Sequence, residues 1–218
     1  MHILTLSLGA FAEYFVIFML LLSIFNFGIR EFFAEVMFSC LLLVFVSISL
    51  SEGFHLDDVA PFIQLLGFIL VLWGVFQFNI FSSFLMGSVY VGYGFLQAIY
   101  LKTLELIGLA TLEQVQAGGV SFYVLQISSI VLTLLIAFVI SRFFSGFNVV
   151  HQGRSNRFSL SKINLILLAA SVSLIWIFGV SYFLMMNKGG KSEIYTFLIF
   201  AALNIVVFIY LLKRKQRG

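Results

Sequence analysis

The cysteine and the histidines are the residues of this sequence whose types allow nucleophilic catalysis. Cys40 is the single cysteine, and His55 is the histidine nearest to it in the chain. A thiolate attacks a substrate only when a base lies within hydrogen-bond reach. Cys40 falls inside an apolar run and His55 follows that run, which separates them by more than about 15 Å at helical rise. We therefore exclude a cysteine peptidase and expect an inert, buried thiol.

Other catalytic and metal-binding chemistry has no motif in the sequence. There is no GxSxG nucleophile elbow, no HExxH zinc motif and no phosphate-binding glycine loop. One cysteine also excludes an intrachain disulfide and a cysteine-based zinc cluster. We expect no enzyme activity, no catalytic residues, no cofactor and no metal site.

Glu13 is the acidic residue that most needs an explanation. It lies well inside the first apolar run, and no Lys or Arg falls at comparable depth in the other runs. A charged side chain at the centre of a bilayer costs roughly 2.5–3.5 kcal/mol on insertion scales. Glu13 is therefore either protonated and hydrogen-bonded to a neighbouring helix, or at the border of a hydrated cavity. The functional interpretation is a ligand contact or a proton-sensitive switch, and the structural interpretation is an interhelical hydrogen bond.

The elements that position Glu13 must face lipid. Apolar and aromatic residues make up 62% of the chain, charged residues 10%, and the mean hydropathy is +1.14, whereas soluble domains carry about 25% charged residues. A helix needs about 20 mainly apolar residues to cross a bilayer. We therefore predict an all-α, polytopic transmembrane bundle, a single domain over residues 1–218, with seven spans at about 3–27, 32–50, 61–78, 80–101, 120–144, 163–186 and 194–212.

Three interruptions separate the apolar runs into spans. The charged pair and glycine within 28–31 end the first span, since a glycine weakens a helix and charges are costly at depth. The run over residues 61–101 is about two membrane thicknesses long as one helix, so we expect a tight reversal around 77–83. The segment 103–119 is too polar for a span. Its Thr111 and Gln114 have the spacing of a capping box, which predicts a small surface helix.

The basic residues indicate the orientation, because Lys and Arg are retained on the cytoplasmic side of a membrane. With seven spans and the N-terminus outside, nine of the twelve basic residues lie inside. They are Arg30, Arg142, Arg154, Arg157, Lys162, Lys213, Arg214, Lys215 and Arg217, against Lys102, Lys188 and Lys191 outside. Because these residues flank apolar runs, we expect contacts with the lipid bilayer in a cell membrane and no nucleic-acid partner.

That topology gathers polar side chains in the outer half of the membrane. Glu13, Gln64, Gln97, Gln126 and Tyr123 fall at similar levels on different spans. Few polar anchors among apolar walls suit a pocket for a peptide or small amphipathic ligand. The alternative is purely structural, because amides bridge membrane helices at about 0.6 kcal/mol each.

Asn204 lies midway along the predicted seventh span. A buried amide seeks a hydrogen-bonding partner, so we expect Asn204 to pair helices, either within the bundle or between the copies of a homodimer.

The sequence resembles one known family. The stretch Ala10-Phe11-Ala12-Glu13 and the segment Phe27-Gly28-Ile29-Arg30-Glu31-Phe32 resemble the N-terminal membrane sensor region of accessory-gene-regulator-type peptide-pheromone receptor histidine kinases, as does the layout of the spans. The resemblance implies a Gram-positive bacterial plasma membrane, a peptide ligand and a cytoplasmic or membrane signalling partner. In that family the last span leads into a kinase domain, and no phosphorylation or ATP site carries over to residues of this sequence.

Two functions follow from these observations. We expect a non-catalytic membrane protein, a receptor-like sensor module for an extracellular peptide or small amphipathic ligand that acts in signal transduction. The alternative is an accessory membrane subunit of a transporter or export complex. A transporter built from inverted repeats is disfavoured, since the chain shows no internal repeat.

Overall fold

The computed structural model describes residues 2–53, 59–109, 111, 114–115, 120–143, 147, 162–186, 203, 205–210 and 212–213. Within these residues the regular elements are helices, joined by turns that include one isolated β-bridge residue, Phe78. The helices are α1 (His2–Ile24), α2 (Phe33–Ile48), α3 (Ala60–Gly74), α4 (Ile80–Leu106), α5 (Val120–Phe143) and α6 (Lys162–Met186). A wider π-helical turn, Ser49–Gly53, follows α2 directly. Residues 203, 205–210 and 212–213 are also helical and are called the C-terminal helical segment below.

Four of the described helices are long and apolar enough to cross a membrane. They are Thr5–Ile24, Phe33–Ser51, Ile80–Leu106 and Val120–Phe143. Large apolar side chains also remain on the surface, among them Phe45 and Trp176, each 71% exposed. Contiguous apolar surface of this kind is stable against lipid and not against water. These observations confirm the all-α fold and indicate a membrane protein that contacts a lipid bilayer.

Contacts at both ends of α1 fix the direction of α5. Near the start of α1, Gly9 lies against the side chain of Gln126. At its end, the backbone oxygen of Ile24 accepts a hydrogen bond from the backbone nitrogen of Phe147 at 2.7 Å. Because early residues meet early residues and late ones meet late ones, α1 and α5 run in the same direction.

The helix α4 runs against α1. The side chain of Gln97, late in α4, contacts Glu13, early in α1. Ser88, earlier in α4, lines a cavity together with Ile24 at the end of α1. Because late residues of α4 meet early residues of α1 and earlier ones meet its end, the two helices are antiparallel.

Two helices end at residues whose backbone adopts the left-handed conformation. Asn26 has φ 56°, and Gly108 has φ 74°. Behind Asn26, the nitrogen of Phe27 donates to the oxygen of Leu22 at 2.9 Å. This is the hydrogen bonding of a Schellman motif, which occupies the last free carbonyls of a helix. The first helix therefore ends before the predicted boundary at residue 27, at Asn26 rather than at Gly28.

The predicted reversal between α3 and α4 is confirmed. Gln77 adopts φ 57°, and Asn79 caps α4 by accepting a hydrogen bond from the nitrogen of Ser82 at 2.8 Å. The flanking rings of Phe76 and Phe78 turn inward and lie 5.7 and 6.0 Å from the ring of Phe32. The turn is thus fixed by aromatic packing against the connection between α1 and α2, and α3 ends at Gly74, earlier than the predicted residue 78.

The segment after α4 differs in part from the predicted surface helix over 103–119. The helix α4 continues to Leu106, and its last turn carries an ion pair between Lys102 and Glu105. The capping box itself is confirmed by reciprocal hydrogen bonds, since Thr111 N donates to Gln114 Oε1 at 3.1 Å and Gln114 N donates to Thr111 Oγ1 at 3.3 Å.

Gly87 sets the distance between α3 and α4. A Cβ atom at this position would lie 2.8 Å from Cγ1 of Ile69, which is closer than carbon atoms pack. We predict that Gly87→Ala lowers the free energy of unfolding by about 1 kcal/mol, because the overpacking outweighs the gain in helix propensity. Equilibrium unfolding in mixed micelles, followed by tryptophan fluorescence, measures this change. Gly92→Ala is the matched control, since a Cβ there meets open space, and equal effects of the two substitutions would contradict the prediction.

Candidate functional site

The carboxyl group of Glu13 is hydrogen-bonded to α4. Its Oε1 atom accepts a hydrogen bond from Nε2 of Gln97 at 2.8 Å and another from Oη of Tyr93 at 3.2 Å. Glu13 is half-buried, and most of the residues around it in α1 are apolar. The structure thus provides the interhelical partner that was one of the two expectations for this residue.

Tyr93 and Gln97 reach Glu13 together because they are four residues apart on α4, on the same face of the helix. Nε2 of Gln97 also lies 2.9 Å from Oη of Tyr93, so the two side chains hold each other in place. Tyr93 is only 4% exposed, whereas Gln97 is half-buried. The phenol is therefore the enclosed end of this pair, and the amide is the accessible end.

The helix α5 contributes Gln126 and Ser129, which are three residues apart and both buried. Gln126 is hydrogen-bonded to Glu13. Oγ of Ser129 lies 3.4 Å from both Oη of Tyr93 and Nε2 of Gln97. We call Glu13, Tyr93, Gln97, Gln126 and Ser129 the Glu13 network. It joins α1, α4 and α5 through one carboxyl group.

Gly9 makes room for this arrangement. A Cβ atom at Gly9 would lie 2.5 Å from Oε1 and 2.7 Å from Nε2 of Gln126. Gly9 precedes Glu13 by four residues, so it lies on the same face of α1. The absence of a side chain at this position lets the Gln126 amide lie against the backbone of α1, beside the carboxyl group.

A second set of polar side chains continues from the first toward α2 and α3. Oη of Tyr90 donates to Oε1 of Gln64 at 3.0 Å, and Nε2 of Gln64 donates to Oγ of Ser47 at 3.0 Å. Tyr14, the neighbour of Glu13 on α1, is hydrogen-bonded to Ser47 and Tyr90. We call Tyr14, Ser47, Gln64 and Tyr90 the Gln64 branch. With the Glu13 network it links all five helices from α1 to α5 by side-chain hydrogen bonds.

The structure brings together three of the five predicted site residues directly. Gln97 and Gln126 are each hydrogen-bonded to Glu13, and Gln64 lies in the adjoining branch. Tyr123 is half-buried, and its ring packs edge-on against that of Phe122 at 5.5 Å. Asn204, the predicted helix-pairing residue, lies outside the described residues, as does His55.

Several members of the site were not among the predicted residues. Tyr93 and Ser129 were missed, although each is one helical turn from a predicted glutamine. Spacings of three and four residues from Gln126 and Gln97 are the signal that would have found them. Gly9 has the same spacing of four residues from Glu13, but a glycine has no polar side chain, and its role depends on which helix lies against α1.

What the side chains of the Glu13 network can do chemically is to exchange the hydrogen bonds among themselves for hydrogen bonds to a ligand. In the described part of the chain no cluster of three or more His, Cys, Asp or Glu residues could hold a metal ion. Cys40 is a free, buried thiol in the middle of α2. A half-buried carboxyl and a half-buried amide that bond to each other can instead each bond to a polar group of a ligand, and such a replacement would loosen three helices at once.

Comparisons of this chain with models of protein families, with curated proteins and with solved structures find no match. The function is therefore argued from the hydrogen-bond geometry of these residues.

Proposed function

We propose that this chain is a non-catalytic, multi-pass receptor-like sensor module, and that the Glu13 network is where it binds an extracellular peptide or small amphipathic ligand. The observation that carries the proposal is the joining of α1, α4 and α5 through the carboxyl group of Glu13. A ligand that takes over these hydrogen bonds changes how three helices pack, which is what a receptor requires.

The proposal places seven spans across a cell membrane, with the N-terminus outside and the C-terminus in the cytoplasm. The parallel course of α1 and α5 and the antiparallel course of α4 support successive helices that alternate in direction across the membrane. The distribution of basic residues supports the orientation, since nine of twelve then lie inside. In this orientation the Glu13 network lies in the outer half of the bilayer, within reach of an extracellular ligand.

Signalling would proceed by a shift of helices. Each interhelical hydrogen bond in a membrane contributes about 0.6 kcal/mol on average, so a few bonds to Glu13 separate two packings by only a small free energy. A ligand shifts such an equilibrium by its difference in affinity for the two states. The C-terminal helical segment would transmit the shift to a cytoplasmic or membrane signalling partner, as in the accessory-gene-regulator-type receptors of Gram-positive bacteria that the sequence resembles.

A binding measurement tests the ligand site. The chain is placed in lipid nanodiscs and titrated with a panel of short linear and cyclic amphipathic peptides. For any peptide that binds, we predict that Glu13→Gln and Gln126→Ala each weaken the affinity about tenfold, the equivalent of one hydrogen bond to a polar partner. Gln114→Ala is the matched control, because this amide lies in the capping box beyond α4.

Unchanged affinity in both site variants, measured on protein that unfolds with the wild-type free energy, would contradict the ligand site. Copurification from native membranes separates the proposal from its rival. A stable complex with a permease or an ATPase would favour an accessory subunit of a transporter or export complex, with the Glu13 network purely structural.

A further inference from the structure

A second feature of the bundle is a cavity of about 630 Å³ between α1, α4, α5, α6 and the C-terminal helical segment. Its volume lies within the range of roughly 300–1,000 Å³ that small-molecule sites occupy. On α4 it is lined by Ser88, Val89, Gly92 and Leu96. It is therefore distinct from the Glu13 network, although Gly92 and Leu96 directly precede Tyr93 and Gln97 in the chain.

The walls of this cavity are apolar and one end is charged. Leucine, isoleucine, valine and phenylalanine side chains form most of the lining, and Ser88 and Lys213 are the polar side chains among its described lining residues. The hydroxyl group of Ser88 donates to the backbone oxygen of Leu85 at 2.6 Å, so it is already satisfied within its own helix. Lys213 is exposed. A ligand that matches these walls has an apolar body and one anionic end.

The cavity borders a surface that lipid would cover. Ile209 lines it and is 47% exposed, and the neighbouring Val206 and Tyr210 are 64% and 62% exposed. Ile140 on α5 and Ile205 also line it and are half-buried. An apolar chain can therefore enter from the bilayer between α5 and the C-terminal helical segment. Water gains little in such a space, because it finds few polar partners there.

We propose that this cavity binds one acyl chain of an anionic phospholipid from the surrounding bilayer, with the phosphate of its headgroup paired to Lys213. The apolar walls match the hydrocarbon, and the exposed ammonium group matches the phosphate in charge. Juxtamembrane lysines attract anionic lipids by this same interaction. The acyl chain then packs beside Leu96 on α4 and gives the bundle a lipid-dependent contact that is independent of any ligand at Glu13.

Native mass spectrometry of the full chain tests the proposal. The protein is purified in detergent with phosphatidylglycerol or phosphatidylcholine added at matched concentration, and the retained lipid is counted. We expect the wild type to retain one phosphatidylglycerol. Lys213→Gln should reduce the preference for phosphatidylglycerol over phosphatidylcholine about fivefold, the contribution of one lysine near an anionic lipid. Lys102→Gln is the matched control, since it removes the same charge from a residue that does not line the cavity.

A second variant fills the cavity and leaves the fold intact. A Cβ atom at Gly92 meets nothing within 4 Å, so Gly92→Leu places its side chain in the open space and adds helix propensity. We expect it to reduce retention of both lipids by about tenfold or more, because the acyl chain loses several buried methylene contacts. Gly74→Leu is its control, because this glycine also faces open space but lies at the end of α3, away from the cavity.

The outcomes separate the possible occupants. Equal retention of the two lipids by the wild type, or undiminished retention by Gly92→Leu, would overturn the proposal. Competition by free glycerol phosphate would assign the site to a soluble anion and overturn it as well. Retention of a peptide or a second copy of the chain in place of lipid would do the same. We expect Glu13→Gln to retain as much lipid as the wild type, even where it weakens peptide binding. The lipid cavity and the Glu13 network are therefore tested separately.

Discussion

Replacing Glu13 with leucine is expected to lower the free energy of unfolding by about 2 kcal/mol. The substitution removes the acceptor of the bonds from Gln97 and Tyr93. A buried donor that loses its partner costs about 1–3 kcal/mol, and the middle of this range rather than its upper end applies here because Gln97 remains half-buried and Tyr93 keeps a contact with Ser129. Equilibrium unfolding in mixed micelles, monitored by the fluorescence of Trp73 and Trp176, gives the change directly.

Four further variants show whether the loss comes from the hydrogen bonds. Glu13→Gln keeps an acceptor oxygen and should change the free energy of unfolding by less than about 1 kcal/mol. The double substitution of Glu13 and Gln97 by leucine should recover part of the loss, because removing both partners of a buried hydrogen bond is cheaper than removing one. Glu35→Leu, on the first turn of α2, is the control for loss of an acidic side chain. Gln97→Leu alone completes the cycle. If the double variant were as unstable as the sum of Glu13→Leu and Gln97→Leu, the bond between Glu13 and Gln97 would carry no coupling energy.

The sequence was most informative where the polarity of a residue differs from that of its neighbours in the chain. Glu13 is conspicuous because an acid in an apolar run has no local explanation, and depth along the spans then selected Gln97 and Gln126. Tyr93 is not conspicuous in the same way. It sits in a span that already contains several glycines and tyrosines, and tyrosine is common near membrane interfaces. Only the angular position of α4 relative to α1 shows that its hydroxyl group faces the carboxyl group.

Helix boundaries were less predictable than the helices themselves. Apolar length locates a span, but the residue that stops it is decided by backbone conformation. Asn26 and Gln77 both adopt the left-handed region, which few non-glycine residues do unless surrounding packing favours it. At Gln77 that packing is the burial of Phe76 and Phe78. Since the aromatic partners belong to another connection, the pattern within the turn could not reveal which residue would take the unusual conformation.

The proposed place of Tyr123 in the ligand site stays a prediction. Tyr123 and Gln126 are three residues apart on α5 and were placed at the same depth. Depth along a helix is encoded by sequence position, whereas the direction in which a side chain points depends on which neighbour α5 meets. The close approach of Gln126 to Gly9 orients this face of α5 toward α1, and the ring of Tyr123 packs edge-on against that of Phe122.

That close approach leads to the largest effect we expect. Gly9→Leu should lower the free energy of unfolding by about 3 kcal/mol, at the upper end of the usual cost of overpacking. The reason is that its Cβ alone would lie 2.5 Å from the Gln126 amide, so α1 and α5 must separate or the amide must leave the carboxyl group. Leucine is a better helix former than glycine, so propensity alone would give the opposite sign. Gly74→Leu, which faces open space, provides that reference. Adding Gln126→Ala to Gly9→Leu removes the clashing group and should restore about half of the loss, whereas equal instability with and without the amide would show that Gly9 does not act through Gln126.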